Sequence, residues 1–277
     1  MELRRGTAAD VDRKTAAAAL DAVFAEYLVP ISFSEPIYAV HVKANDVVAE
    51  QSPIWYDADG NVVAAALLGV RGKRGWIGGF GVIPEQRKKG LGHALLDEIL
   101  ERSRAIGLES VVLEVLLANV GARRTYEAGG FIVTRRLSTF GVDVHQPVPE
   151  VRDVPYADAL AFLDDAAGEV RPCWQREDVG LRRQQNLHAV GAGNAYAVFN
   201  HNGERAQILK VHAPAADVFA RLTGAIAAQT GVVRMDHFHE PADSAIADAA
   251  RSLGWLVGHE SYEMLLEFSA PNFRRES

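Results

Sequence analysis

The chain has 277 residues, of which 48% are hydrophobic and 23% are charged, and its formal net charge is −7. This is the composition of a globular protein, and the acidic balance argues against a general nucleic-acid binder, because no broad basic face could dominate its surface. A single cysteine, Cys173, excludes an internal disulfide and a cysteine-rich metal site. The start of the chain lacks an apolar signal core and no apolar run could span a bilayer, so we expect a cytoplasmic protein without a membrane partner.

The pattern of the first third predicts two helices, over 7–28 and 36–48, and three strands, over 54–56, 62–70 and 76–83. Thr7 and Asp10 stand at capping-box spacing and mark the first helix start. The first two strands flank an Asp-Gly turn and predict a hairpin. Gly78, Gly79 and Gly81 lie inside the third strand, which indicates a bulge or a close approach by a ligand or another backbone.

A turn with two glycines leads into the next helix, predicted over 92–106. No Ser, Thr, Asp or Asn caps its free N–H groups, and the cations of 87–89 stand where the helix dipole disfavours them. This arrangement costs stability unless an anion fills the site, so it indicates phosphate binding. A solvated basic turn would explain the charges but not the missing cap. A P-loop is excluded because no Lys-Ser/Thr follows Gly92, and a dinucleotide fingerprint because Leu95 replaces its third glycine.

The first half continues with a strand over 110–117, a helix over 121–128 and a strand over 131–139. Antiparallel strands followed by a strand–helix–strand unit predict an α/β fold, in which helices flank a mixed, mostly antiparallel twisted sheet.

Residues 82–94 resemble the acyl-CoA signature of the GNAT superfamily of N-acetyltransferases, Gln/Arg-x-x-Gly-x-Gly/Ala after a Val-x-Pro strand end. The fitting positions are Gln86 or Arg87, Gly90, Gly92 and Ala94. Residues 113–131 resemble the family's strand–Asn–helix–Tyr-x-x-x-Gly-Phe block, with Asn119 and Tyr126 in place. The resemblance implies acetyl-CoA as cosubstrate, no metal, and transfer of the acetyl group to a primary amine by direct attack in a ternary complex.

The resemblance also implies which residues hold the cofactor. Backbone amides of 88–92 would cradle the pyrophosphate, and the cations of 87–89 would offset its charge. Backbone groups of Val82 and Ile83 would pair with the pantetheine amides, and Asn119 would contact the arm. The expected cofactor-binding residues are Val82, Ile83, Arg87, Lys88, Lys89, Gly90, Leu91, Gly92, His93, Asn119 and Tyr126.

Two side chains are candidates for the proton transfers. Tyr126 stands where the family places its general acid, and a phenol is close enough to a thiol in acidity to share a proton. Glu114 interrupts an apolar strand, and apolar surroundings disfavour its charged form, which suits a general base near neutral pH. Alternatively, Tyr126 is an ordinary core tyrosine, and Glu114 pairs with a cation such as Arg123 or lies at a wet strand end.

The second half is predicted to repeat the first after a proline-rich boundary at 146–155. A hairpin (194–199 and 205–212), a helix (216–229), a strand (232–238), a helix (242–252) and a strand (255–268) follow in the same order. The loop 211–216 lacks the glycine pair and the cations, and the position of Tyr126 falls at about Ala250. We therefore expect a catalytic domain over 1–145 and a degenerate GNAT-like domain without a cofactor site over 146–277.

The acceptor stays open at this point between a small amine and a protein N-terminus, and the assembly between a monomer and a homodimer. A non-catalytic acyl-CoA-binding sensor, or interaction protein, is the rival class. His237, His239 and Glu240 have a ligand-like spacing, but a histidine pair at a strand end is more often structural.

Overall fold

The computed structural model describes residues 3–144, 154–163, 171–192 and 194–268. The chain divides into two compact units. The first unit comprises Met1–Thr134 with Glu263–Ser277, and the second unit comprises Arg135–Tyr262. None of the helices that the structure describes combines the length and the apolar character that a bilayer span requires.

The first unit is a sheet with two helices on each face. Its strands are β1 (Arg4–Thr7), β2 (Pro53–Tyr56), β3 (Val62–Arg71), β4 (Arg74–Val82) and β5 (Ser110–Leu116), hydrogen-bonded in that order. Its helices are α1 (Arg13–Val23), α2 (Glu35–Ala44), α3 (Leu91–Ala105) and α4 (Val120–Ala128). The pairs from β1 to β4 are antiparallel, whereas β4 and β5 are parallel.

The two faces of this sheet carry different helices. On one face, Leu20 and Val23 of α1 lie against Gly79 and Gly81 of β4. On the other face α3 and α4 pack together, since a Cβ on Gly129 would stand 2.6 Å from Leu96 of α3.

The predicted first helix differs most from the structure. The Thr7–Asp10 capping box is present, but it closes a short 3-10 turn, Ala8–Asp10. Asp12 provides a second cap by accepting a hydrogen bond from the Thr15 N–H at 2.7 Å, and α1 therefore begins at Arg13. The helix ends at Val23, five residues before the predicted end at 28.

A β-bulge in β4 explains one of its glycines. The register with β3 shifts between Leu67 and Leu68, whose partners are Gly79 and Ile77, so Gly78 is the extra residue. A Cβ on Gly78 would overlap the Trp76 ring. The predicted bulge is confirmed, and the close approach is made by a side chain of the same strand.

Strands β4 and β5 diverge beyond the bulge. Their parallel register runs from Arg74↔Ser110 to Ile77↔Leu113, while β4 continues to Val82 and β5 to Leu116. The backbone of β4 past Ile77 therefore faces an opening that β5 has left.

The second unit repeats this order of elements. Its strands are β6 (Ile132–Asp143, shared with the first unit), β7 (Tyr156–Ala157), β8 (His188–Ala192), β9 (Ala195–His201), β10 (Arg205–His212), β11 (Arg234–Pro241) and β12 (Leu256–Glu267, also shared). Its helices are α5 (Asp178–Leu181), α6 (Ala216–Thr230) and α7 (Ala245–Ser252). As in the first unit, an antiparallel pair (β9 and β10) precedes a parallel one (β10 and β11), and the predicted repeat is confirmed at the level of topology.

The division of the chain into two units does not fall at the predicted boundary between 145 and 146. The proline-rich stretch 146–150 lies outside the described residues, and the division falls within two strands. Strand β6 enters the second unit at Arg135, and β12 returns to the first at Glu263. Each strand has 12 residues, long enough to serve two units, and the Phe268 N–H donates to the Glu109 carbonyl at 2.8 Å beside β5.

Candidate active site

The start of α3 has the uncapped geometry that its sequence predicts. Gly90 is the N-cap residue, in the left-handed region at φ 83°, and no side chain caps the helix. Lys88 is also left-handed at φ 61°. Leu91, Gly92 and His93 form the first turn, which contains no acidic residue, and the His93 side chain is exposed. The first N–H groups of α3 are thus oriented for an anion, with no carboxylate competing.

The cations of this loop do not all point outward. Arg87 donates to the Val82 carbonyl at 3.0 Å and to the Ala25 carbonyl at 2.9 Å, which ties the loop to the chain just after α1. Lys89 donates to the Glu85 carbonyl at 3.0 Å. The bonds of Arg87 use its Nε and Nη2, and its Nη1 lies 3.8 Å from Glu26 Oε2, so this side chain holds the loop in place.

Backbone groups of β4 face two different sides. The Ile83 N–H donates to the Val63 carbonyl at 3.0 Å and its carbonyl accepts from the Gln86 N–H at 3.0 Å. Ile83 therefore has no spare backbone group for the expected pairing with a pantetheine arm. Because backbone groups alternate along a strand, those of Phe80 and Val82 face the side that β5 has left.

Tyr126 of α4 lies in an aromatic cluster on the α3 and α4 face. Its ring contacts Phe80 of β4 and Phe131, with centroids 5.5 and 5.9 Å apart. Asn119 caps α4 by accepting from the Ala122 N–H, and its side chain also hydrogen-bonds to the hydroxyl of Tyr27. Two of the expected site residues, Asn119 and Tyr126, thus share one helix and one neighbour, Tyr27.

The Tyr126 phenol is held in its protonated form. Burial raises the pKa of Tyr126 above its ordinary value, and the neighbouring Tyr27 raises it further. A proton is therefore available at any physiological pH. The match in acidity with a thiol is poorer than the sequence suggests, because the hydroxyl is shielded from water.

Glu114 of β5 lies half-buried at the point where β4 and β5 separate. The indole Nε1 of Trp76 donates to its Oε2 at 2.7 Å. Arg123, the cation considered as its partner, forms an ion pair with Glu127 at 2.8 Å. Glu114 is therefore oriented by an indole, beside the opening between the strands.

The sequence of residues 20–131 matches the acetyltransferase (GNAT) family. Residues 20–131 have the sequence of a GNAT acetyltransferase domain. The chain matches none of the curated proteins. Proteins of the GNAT family use acetyl-CoA as cosubstrate and act on amines.

Solved structures resemble the chain over both units. A tandem GNAT protein from the clavulanic acid biosynthesis pathway is 17% identical, with a TM-score of 0.67 over 96% of this chain and 98% of that one. A GCN5-related N-acetyltransferase from Sphaerobacter thermophilus is 15% identical, with a TM-score of 0.69 over 96% and 95%. A putative acetyltransferase from Pyrococcus horikoshii is 15% identical, with a TM-score of 0.65 over 96% and 89%. At these identities the likeness shows the fold, which is that of two GNAT-like units in tandem.

In the second GNAT-like unit, Arg176 bridges the equivalent opening. Strands β10 and β11 are paired as far as Ile208↔His237. Just beyond, the Arg176 guanidinium donates to the Leu209 carbonyl of β10 at 2.7 Å and to the His239 carbonyl of β11 at 3.1 Å. The space between the diverging strands thus contains a side chain of the unit itself.

A buried carboxylate balances this cation. Arg176 donates to Glu240 at 2.7 Å, His237 lies 2.8 Å from the same carboxylate, and Ser244 donates to its other oxygen at 2.6 Å. Burial alone would raise the pKa of Glu240, but the charge of Arg176 and these hydrogen bonds outweigh burial and lower it. His237 and Glu240 therefore belong to a structural network, as their sequence context predicts.

The second unit also differs from the first at two other positions of the predicted site. The N-cap of α6 is Ala215 at φ −151°, in place of a left-handed glycine. The Trp255 N–H donates to the Ala250 carbonyl as the Phe131 N–H does to that of Tyr126, so Ala250 occupies the tyrosine position.

Sequence reasoning missed two residues near the predicted site, His41 and Trp76. Trp76 holds Glu114. His41 of α2 packs against Trp76, with ring centroids 5.7 Å apart. The one signal in the sequence was Trp76, which stands two residues before Gly78 in the same strand. The other contacts join segments that are distant in the sequence.

Proposed function

We propose that the first unit transfers an acetyl group from acetyl-CoA to a primary amine by direct attack in a ternary complex. The observation that carries this proposal is the uncapped start of α3 behind the left-handed Gly90, next to the opening between β4 and β5. An anion-binding helix start beside unpaired strand backbone suits a ligand with phosphates at one end and an amide-bearing arm at the other.

One end of the site would bind the phosphates of the cofactor, and the other end would pair with its pantetheine arm as a neighbouring strand would. The amides of 88–92 and the side chains of Lys88 and Lys89 would meet the pyrophosphate, and His93 lies beside them. The Val82 N–H would pair with the arm, because the Val82 carbonyl already accepts from Arg87, and Asn119 would contact the arm from the start of α4. Ile83 is not proposed as a pairing partner, because its backbone groups are already bonded.

The chemistry would need a base, an oxyanion donor and an acid. Glu114 would take one proton from the ammonium, and the neutral amine would attack the thioester carbonyl. A backbone N–H of β4 near the bulge would stabilise the oxyanion. As the C–N bond forms and the C–S bond breaks, Tyr126 would protonate the leaving sulfur. The nitrogen then loses its second proton to solvent. Solvent also takes the proton from Glu114 and returns one to Tyr126, so both side chains regain their starting states.

The proposed acceptor is a small primary amine, and a protein N-terminus is the second candidate. The half-buried carboxylate of Glu114 favours a cationic acceptor of either kind, because an ammonium would offset its charge.

Thiol release from acetyl-CoA over a panel of amines tests this proposal. Saturable release that requires an amine supports the enzyme. Saturable CoA binding without release by any amine would favour the rival, an acyl-CoA sensor. Gly90→Val is the matched control: a β-branched residue cannot adopt φ 83° without strain, although nothing lies within 4 Å of the added Cβ. This variant should lose cofactor binding and stay folded.

We further propose a single cofactor site per chain, because Arg176 fills the equivalent opening of the second unit. Calorimetric titration with CoA should give one site, and Gly90→Val should remove it. Two comparable sites would overturn this assignment.

A further inference from the structure

His41 is a half-buried titratable side chain with no role in the chemistry above. It lies on α2, and its ring stands between Phe33 and Trp76, with a centroid distance of 5.7 Å to each. The contact with Phe33 is edge-on at 86°, and the contact with Trp76 is tilted at 38°. Aromatic neighbours on both sides thus fix the plane of the imidazole.

One nitrogen of this ring has no hydrogen-bond partner. Among the residues that the structure describes, none bonds to His41 Nε2, although the atom is buried. The His41 ring forms a hydrogen bond with the backbone of Gly78. This bond favours a proton on the ring nitrogen that faces the Gly78 carbonyl. Burial lowers the pKa of His41 to about 4, so the ring is neutral at physiological pH and Nε2 is a hydrogen-bond acceptor. Buried acceptors are rarely left unsatisfied in proteins, and this one lies beside Gly78 and Trp76 at the proposed site, where a substrate group could bond to it.

His41 belongs to the same row of groups as Glu114. Trp76 contacts the His41 ring and donates its indole N–H to Glu114 at 2.7 Å. Two hydrogen-bond acceptors, one neutral and one able to carry charge, therefore flank a single indole. Gly78, where β4 bulges and leaves β5, contacts both Trp76 and His41. The row thus lies at the opening proposed for acyl transfer.

We infer that His41 Nε2 accepts a hydrogen bond from a second donor group of the acceptor, while the nitrogen to be acetylated is held by Glu114. The acceptor class that fits is a primary amine with a hydroxyl or N–H group on a short spacer, such as an aminoalkanol. This inference rests on the proposed function and deepens it. His41 would determine specificity and would not take part in bond making.

Matched acceptors test the inference. Aminoalkanols of increasing chain length are compared with alkylamines that carry a methyl group in place of the hydroxyl. At one length the wild-type chain should prefer the aminoalkanol by about tenfold in kcat/KM, the value of one buried hydrogen bond. His41→Phe keeps a flat ring between its neighbours but lacks the acceptor atom. It should abolish the preference and leave alkylamine turnover and the KM for acetyl-CoA within about twofold.

The outcomes separate this inference from the proposed function. If alkylamines are acetylated and no aminoalkanol is preferred at any length, the His41 inference fails while the function stands. The same holds if His41→Phe keeps the preference. If no amine of either series is acetylated, the proposed function fails and the inference falls with it. The wild-type comparison decides the matter even if His41→Phe does not fold. In that case His41→Asn, which keeps a polar acceptor, should retain part of the wild-type preference.

Discussion

Replacing Tyr126 with phenylalanine isolates the proposed general acid. The change removes one hydroxyl and keeps the ring contacts with Phe80 and Phe131. We therefore expect a folded protein with unchanged cofactor binding. General acids contribute about 10²–10⁴-fold to turnover, which corresponds to roughly 2.7–5.4 kcal/mol at 1.36 kcal/mol per factor of ten. The loss should appear in kcat, because the proton moves only as the C–S bond breaks.

Steady-state thiol release with saturating acetyl-CoA and amine measures this loss. Tyr56→Phe is the matched control, because Tyr56 is also a buried tyrosine of the first unit and its hydroxyl has no partner among the described residues. The control should keep near-full turnover. Since burial raises the pKa of Tyr126, this group stays protonated as pH rises, and it should cause no loss of wild-type turnover below about pH 10. Near-full activity of Tyr126→Phe would refute the assignment and mean that the thiolate leaves unprotonated or is protonated by water.

Three further outcomes are expected. Neutralising Lys88 and Lys89 together should raise the KM for acetyl-CoA and weaken the salt dependence of this KM. The kcat should not change, because phosphate contacts act equally in ground and transition states, and a large fall in kcat would contradict this role. Glu114→Gln should lower turnover mainly below the pKa of the amine and lose its effect as free amine accumulates; an unchanged pH–rate profile would exclude Glu114 as the base. Arg176→Met leaves the buried Glu240 without its cation and should destabilise the chain by about 3–5 kcal/mol in chemical denaturation, whereas a change below about 1 kcal/mol would show that the bridge is dispensable.

The uncapped loop before α3 was predictable because its signals are local. Two glycines and three cations at an uncapped helix start follow directly in the sequence, and the structure keeps them together at α3. The second unit was predictable for a related reason. Its glycine-aromatic step at Gly254 and Trp255 repeats that at Gly130 and Phe131, and both glycines are left-handed.

Features that join distant segments could not be predicted in this way. The sharing of β6 and β12 between units depends on pairing that periodicity does not specify. The row from His41 to Glu114 depends on α2 packing against β4, and its residues are 73 positions apart along the chain. Arg176 likewise acts through carbonyls of two strands that follow it in the sequence.

Acetyl-CoA labelled in its acetyl group provides the most direct test of amine acetylation by the first unit. The wild-type chain should place the label on the nitrogen of the acceptor, in an amount equal to the thiol released, and Gly90→Val should do neither. Thiol release with the label recovered as free acetate would show hydrolysis in place of transfer. Either that result or bound CoA with no labelled amide from any amine would contradict the account.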